Sequence, residues 1–156
     1  MSHFAVRLAT VGPLGSFPIA PGTIGSLAGV ALCVAIRLVA VPWLEAALIA
    51  VTFVVGVWAA DHAERQFATT DPGPVVIDEV LGTLITLAFL PVSAWGYLAG
   101  FLLFRVFDIV KPWPAGRLET LRGGVGIMAD DAMAGLYAWV ALRMLAWATP
   151  GWILAS

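Results

Sequence analysis

Residues 44–60 read LEAALIAVTFVVGVWAA, and Glu45 is the only charged residue in the run. A run of this kind approaches the roughly 20 apolar residues with which an α-helix crosses a bilayer. Leu27 to Val41 is interrupted only by Arg37, and Ala132 to Leu154 only by Arg143. These three runs predict membrane-spanning helices.

The composition supports a membrane protein. Of the 156 residues, 61% are hydrophobic and 12% are charged, whereas soluble domains are about half apolar and about a quarter charged. A soluble chain this short has too much surface for its volume to bury so many apolar side chains. We therefore expect an all-α, polytopic membrane bundle with one domain, 1–156. The formal net charge of −2 and the lack of a basic stripe exclude a nucleic-acid partner.

One segment has two interpretations. Val80 to Leu90 is about half as long as the roughly 20 residues of a span, and Pro91 separates it from the apolar run Ala94 to Val110. It forms either one long span or a short, re-entrant helix that turns into the next one. The hairpin places six basic residues on the starting side and none in the opposite loops, as the positive-inside rule requires. These residues are Arg7, Arg65, Arg105, Lys111, Arg117 and Arg122. We therefore favour the hairpin.

Glycine and proline mark two interfacial segments. Residues 12–26 are predicted to form an irregular loop, because Pro fixes φ and Gly permits positive φ. Thr23 or Ser26 either caps the following helix or holds a phosphate or glycerol group. Gly123, Gly124 and Gly126 predict a turn before a last helix that opens at residues 130–131.

Three charged groups carry the candidate chemistry. Asp78 and Glu79 either complement a helix dipole or bind a ligand. Arg105, Asp108 and Lys111 are spaced i, i+3, i+6, which is typical of a salt-bridge ladder or of a phosphate site. The adjacent acids Asp130 and Asp131 repel each other, and a divalent cation would relieve that repulsion, although one of them is also a candidate N-cap.

The available side chains favour metal-assisted phosphoryl chemistry. The five carboxylates suit Mg²⁺, and Arg105 and Lys111 suit phosphate oxygens. The sequence contains no Ser-His-Asp arrangement, no Gly-Lys-Ser/Thr motif and no Cys/His zinc spacing. The alternatives are an ion or proton transporter subunit with an acidic relay, or a non-catalytic scaffold. Because the hairpin puts all these acids on one face, whereas a relay needs groups at mid-membrane depth, the enzyme is favoured.

Four motifs now identify a resemblance. They are PIAPGTIGS at 18–26, DEVLG at 78–82, RVFDIVKPWP at 105–114 and GGVGIMADD at 123–131. In this order they resemble the phosphatidylglycerophosphatase A family over nearly the whole chain. The resemblance implies an all-helical, Mg²⁺-dependent enzyme of the bacterial inner membrane that converts phosphatidylglycerophosphate into phosphatidylglycerol.

The resemblance also suggests roles for the charged set, with the site on the cytoplasmic face. We expect Asp78, Glu79, Asp130 and Asp131 to hold Mg²⁺, and Asp78, Asp108 and Asp131 to act in catalysis. Arg105 and Lys111 would bind the phosphate, and Thr23 and Ser26 are further candidates for substrate binding.

Overall fold

The computed structural model describes residues 2–41, 43–118 and 120–155, and its regular elements are helical. A 3-10 turn covers Leu14–Ser16. The eight α-helices among these described residues are α1 Ser2–Ala9, α2 Pro21–Leu38, α3 Trp43–Phe67, α4 Ile77–Leu87, α5 Ala94–Val110, α6 Ala115–Leu118, α7 Gly124–Ala148 and α8 Pro150–Ile153.

Three of these helices, α2, α3 and α7, are long and apolar enough to cross a membrane. Large apolar side chains such as Leu38, Val54 and Trp147 face outward, as expected where the surrounding solvent is lipid. The prediction of an all-α membrane bundle is therefore confirmed. Cys33 is buried in the bundle, and Asp61 and Arg65, four residues apart on α3, form a surface ion pair at 2.7 Å.

The segment from 77 to 110 forms two helices. Arg105 lies near the end of α5, and its guanidinium is 3.9 Å from the carboxylate of Glu79 near the start of α4. The two helices are therefore antiparallel, which confirms the hairpin. Ser93 caps α5 by accepting a hydrogen bond from the Gly96 N–H at 3.2 Å.

The short helix α4 is the centre of the bundle. Its side chains are almost all buried, and it packs between α2 and α7. A methyl group on Gly135 of α7 would lie 2.5 Å from the carbonyl oxygen of Gly82 of α4. The absence of side chains at both positions is what allows the two backbones to approach so closely. A methyl group on Gly82 itself would lie 2.2 Å from Cε2 of the Phe104 ring of α5 and 2.9 Å from the carbonyl oxygen of Asp131 of α7.

The start of α2 differs from the prediction. The helix begins at Pro21, inside the stretch expected to be irregular, after a left-handed Ala20 with φ 50° that makes no side-chain cap. Thr23 and Ser26 are therefore helical residues, and the expectation that either one caps α2 is wrong. Proline fits the first helical position because its missing N–H would have no partner there. Ser26 instead donates its hydroxyl to the carbonyl of Gly22 at 2.8 Å.

The start of α7 also differs. The helix begins at Gly124, so Asp130 and Asp131 lie well inside it, and the N-cap role considered for one of them is wrong. The glycine-rich segment becomes helical because it packs closely on α3. A methyl group on Gly124 would lie 2.0 Å from the carbonyl oxygen of Val57. Tertiary packing thus overrides the weak helix propensity of glycine.

Candidate metal and phosphate site

The beginning of α4 and the second turn of α7 bring three carboxylates together. Asp78, Glu79 and Asp131 each offer one oxygen, and these oxygens all lie within 4.8 Å of one another. The carboxylates are deep in the protein, since Asp78 is 7% exposed and Asp131 is 3% exposed. We call these three residues the carboxylate cluster.

One oxygen of each carboxylate in the cluster lacks a protein donor. Asp78 Oδ1, Glu79 Oε2 and Asp131 Oδ2 are buried and have no hydrogen-bond partner among the residues that the structure describes. An ionised carboxylate without a partner is strongly disfavoured in such surroundings, and neighbouring carboxylates repel each other as well. A hard divalent cation with oxygen ligands would remove both penalties. The donor set therefore fits Mg²⁺.

Arg105 borders the cluster from α5. Its Nη1 lies 2.6 Å from Oδ2 of Asp108 and 3.9 Å from Oε1 of Glu79. The same nitrogen is 3.4 Å from the hydroxyl oxygen of the buried Ser26. Asp108 thus holds the guanidinium beside the carboxylate cluster, and the Ser26 hydroxyl contacts the same guanidinium from the α2 side.

Lys111 reaches the site from the end of α5. Its backbone is left-handed, with φ 44°, and ends the helix. Its Nζ lies 2.6 Å from Oδ2 of Asp130, whose Oδ1 accepts a hydrogen bond from the backbone N–H of Asp131 at 2.9 Å. Both oxygens of Asp130 are therefore engaged within the protein. The structure places Asp130 on Lys111, outside the carboxylate cluster, and the metal-ligand role of Asp130 stays a prediction.

Gly22 belongs to the site, although it is not among the residues predicted from the sequence. A methyl group there would lie 2.2 Å from Oε1 of Glu79 and 3.0 Å from Nη1 of Arg105. The missing side chain leaves room for both groups against the first turn of α2, where the half-buried Thr23 also lies. The sequence signal was available, because Gly22 follows Pro21 at a position that starts a helix.

Comparisons with known proteins give the family. Residues 7–146 match the family described as phosphatidylglycerophosphatase A. A putative phosphatidylinositol-3-phosphatase of Bacteroides thetaiotaomicron is 37% identical over 153 residues, which cover 94% of this chain and 96% of the relative. The phosphatidylglycerophosphatase A of Escherichia coli is 37% identical over 125 residues, with coverages of 78% and 72%. That of Haemophilus influenzae is 40% identical over 121 residues, with coverages of 76% and 74%. No solved structure matches the chain significantly.

The apolar bundle, the carboxylate cluster and these relatives together define a membrane-embedded lipid phosphatase. The chain belongs to the phosphatidylglycerophosphatase A family. Family membership decides against the transporter subunit and the non-catalytic scaffold that the sequence left open.

Proposed function

We propose that the protein hydrolyses the terminal phosphomonoester of phosphatidylglycerophosphate, in a Mg²⁺-dependent step of phospholipid biosynthesis. The observation that carries the proposal is the position of Arg105 beside three carboxylates, each of which has one buried oxygen without a hydrogen-bond partner among the described residues. The names of the two phosphatidylglycerophosphatase A relatives support the choice of lipid. The products would be phosphatidylglycerol and inorganic phosphate.

The carboxylate cluster would hold the Mg²⁺. When bound, the ion would supply positive charge to the phosphoryl oxygens and act as a Lewis acid. Asp78, Glu79 and Asp131 come from two different helices, so their arrangement depends on how α4 packs on α7. Asp130, which is adjacent to Asp131 on α7, is proposed as a further ligand.

Arg105 and Lys111 would bind the phosphate. Arg105 presents several N–H donors in a planar fork that matches phosphate oxygens, and Asp108 fixes its orientation at 2.6 Å. Lys111 supplies a compact charge, which Asp130 holds in place at 2.6 Å. Both basic side chains are partly exposed, at 20% and 23%, so a head group can reach them. Thr23 and Ser26 would line the α2 side.

The reaction needs a water molecule and a proton acceptor. The water oxygen attacks phosphorus while a carboxylate takes the water proton, and the bond from phosphorus to the glycerol oxygen breaks. The protonated carboxylate then gives its proton to the glycerol oxygen, which restores the carboxylate and leaves a neutral alcohol. Asp78, Asp108 and Asp131 are the carboxylates that we propose for this proton transfer. Arg105 and Lys111 stabilise the charge that develops on the phosphoryl oxygens.

The expected position of the site is the cytoplasmic face of the bacterial inner membrane. Arg105 and Lys111 lie at the end of α5 beside the site. Arg65 lies at the end of α3, and that end packs on the start of α7, the helix of Asp131. Basic residues accumulate in cytoplasmic segments. On the last turns of α5, Ile109 and Val110 are exposed beside Lys111. These apolar side chains would contact the acyl chains of a lipid whose phosphate reaches the site.

The first test is phosphate release by the purified protein in detergent. We expect release from phosphatidylglycerophosphate in Mg²⁺, loss of release in excess EDTA, and recovery when Mg²⁺ is restored. Phosphatidylinositol 3-phosphate should be assayed in parallel, because the Bacteroides relative carries that substrate in its name. Faster hydrolysis of this second lipid would replace the proposed substrate. Absence of release from both lipids in Mg²⁺ would refute the proposed function.

A second test addresses the phosphate contact. Arg105→Lys keeps the positive charge but loses the planar fork, so we expect kcat/KM to fall by about 10- to 100-fold. The matched control is Arg65→Lys, because Arg65 makes an exposed ion pair with Asp61 and such pairs contribute little. Both variants are compared with the wild type in steady-state phosphate release. Equal losses in the two variants would contradict a specific role for Arg105.

A further inference from the structure

The end of α4 opposite the carboxylate cluster poses a hydrogen-bonding problem. The helix has 11 residues and is about 16 Å long, against about 30 Å of bilayer hydrocarbon. The last carbonyls of any helix lack partners within the helix. Lipid chains supply no donors, so these carbonyls must be satisfied by the protein.

Two arginines and one tryptophan supply the donors. Arg37 Nη2 donates to the carbonyl of Leu87 at 2.5 Å. Arg143 Nη2 lies 3.3 Å from the carbonyls of both Ala88 and Phe89. Trp139 Nε1 donates to the carbonyl of Ala88 at 3.0 Å. Three consecutive carbonyls at the end of α4 are thus bound by side chains of α2 and α7.

Arg37 is itself fixed by other helices. Its Nε lies 2.7 Å from Oε1 of Glu45 on α3, and its Nη1 donates to the hydroxyl of Tyr97 on α5 at 3.2 Å. The other oxygen of Glu45 accepts a hydrogen bond from the backbone N–H of Phe89 at 2.8 Å. The guanidinium therefore connects the end of α4 to three neighbouring helices.

Arg143 connects the same end of α4 to the helix that carries Asp131. Its guanidinium lies 4.1 Å from the ring centre of Trp139, one turn earlier on α7. Counting from the site, α7 contacts α4 at Asp131, at the Gly82–Gly135 approach and at Arg143. The positive charges at the end of α4 also complement its dipole, as Asp78 and Glu79 do at its start.

We propose that Arg37 and Arg143 are positioning residues that fix the depth and rotation of α4, and thereby place Asp78 and Glu79 against Asp131 for metal binding. We call this pair the arginine clamp. A short helix moves as a rigid body, so freeing one end displaces the other. The clamp rests on the proposed function only in taking the carboxylate cluster to bind a divalent cation.

The test replaces each arginine with glutamine and measures Mn²⁺ binding to the purified full chain by electron paramagnetic resonance. Residues that orient metal ligands typically change metal affinity by 10- to 100-fold, so we expect the Kd for Mn²⁺ to rise about tenfold in Arg37→Gln and Arg143→Gln. Amide hydrogen exchange of residues 84–89 should become faster, since opening of that helix end becomes easier. Arg65→Gln, at an exposed ion pair, is the control and should leave both quantities unchanged.

The outcomes separate the clamp from a merely stabilising role and from the proposed function. Lower Tm with wild-type Mn²⁺ affinity and wild-type exchange in both glutamine variants would overturn the clamp. If the glutamine variants do not fold, Arg37→Lys and Arg143→Lys decide. Each lysine replaces a planar fork with a compact ammonium, so faster exchange and weaker Mn²⁺ binding are again expected. Wild-type exchange and wild-type Mn²⁺ affinity in both lysine variants would overturn the clamp. A wild type that binds Mn²⁺ but hydrolyses no lipid would refute the proposed function, whereas weaker Mn²⁺ binding by the arginine variants would still support the clamp.

Discussion

Replacing Asp131 with asparagine should lower kcat by about 100-fold or more, because the amide would be a weaker ligand and would remove one negative charge from the proposed metal site. The side chain is buried and one of its oxygens has no partner among the described residues. Its size hardly changes, so the packing of α7 on α4 should be retained. The measurement is phosphate release at saturating lipid and Mg²⁺. Full activity of Asp131→Asn would remove this residue from the site.

Asp131→Asn should lower activity without lowering the thermal stability of the metal-free protein. In the metal-free protein, Asp131→Asn removes one of three carboxylates that repel each other, so its Tm should equal or exceed that of the wild type. Mg²⁺ should raise the Tm of the wild type, since a ligand that binds the folded state stabilises it, and should raise that of the variant much less. Asp61→Asn is the control, because Asp61 pairs with Arg65 outside the cluster. If the metal-free variant is unfolded, its loss of activity would be explained by loss of the folded structure and not by loss of a metal ligand.

Replacing Gly135 with alanine should destabilise the protein by about 2–3 kcal/mol. The added methyl group would lie 2.5 Å from the carbonyl oxygen of Gly82 and 3.0 Å from its Cα. Both atoms belong to helix backbone, so a change of side-chain rotamer does not relieve the clash and α4 must move away from α7. Because Asp131 lies one turn from Gly135, activity should fall together with stability.

The control for this prediction is Gly151→Ala. Gly151 also lies in a helix, and a methyl group there would meet no atom within 4 Å. Thermal unfolding in detergent should give a lower Tm for Gly135→Ala and a nearly unchanged Tm for Gly151→Ala. A wild-type Tm for both variants would mean that α4 and α7 can separate at little cost.

The architecture was largely predictable from hydropathy and charge. Long apolar runs indicate spans whatever their packing, and the distribution of basic residues was enough to choose the hairpin at Pro91. The start of α2 at Pro21 carries a local signal, because proline suits the first helical position. The start of α7 has no such signal. Local rules assign glycine to loops, whereas Gly124 becomes helical because it packs on Val57 of α3. Such a contact between distant residues leaves no local signal.

The division of roles between Asp130 and Asp131 shows a similar limit. In the sequence they are equivalent neighbours, and both were expected to hold Mg²⁺. Successive residues of an α-helix point about 100° apart, so once both lie within α7 they face different partners. Asp131 faces α4 and the carboxylate cluster, and Asp130 faces Lys111 at the end of α5. The two residues differ in role only because α7 begins at Gly124 and already includes both of them.

The exposed apolar side chains beside Lys111 determine how the enzyme would meet its substrate. Ile109 and Val110 face outward at the end of α5, so a lipid can approach sideways within its own leaflet. The dephosphorylated product would keep its acyl chains and leave by the same lateral route, and inorganic phosphate alone would pass into water. Turnover should then depend on the mole fraction of substrate in the membrane or micelle surface, and diluting the lipid with inert detergent should slow the enzyme at constant bulk concentration.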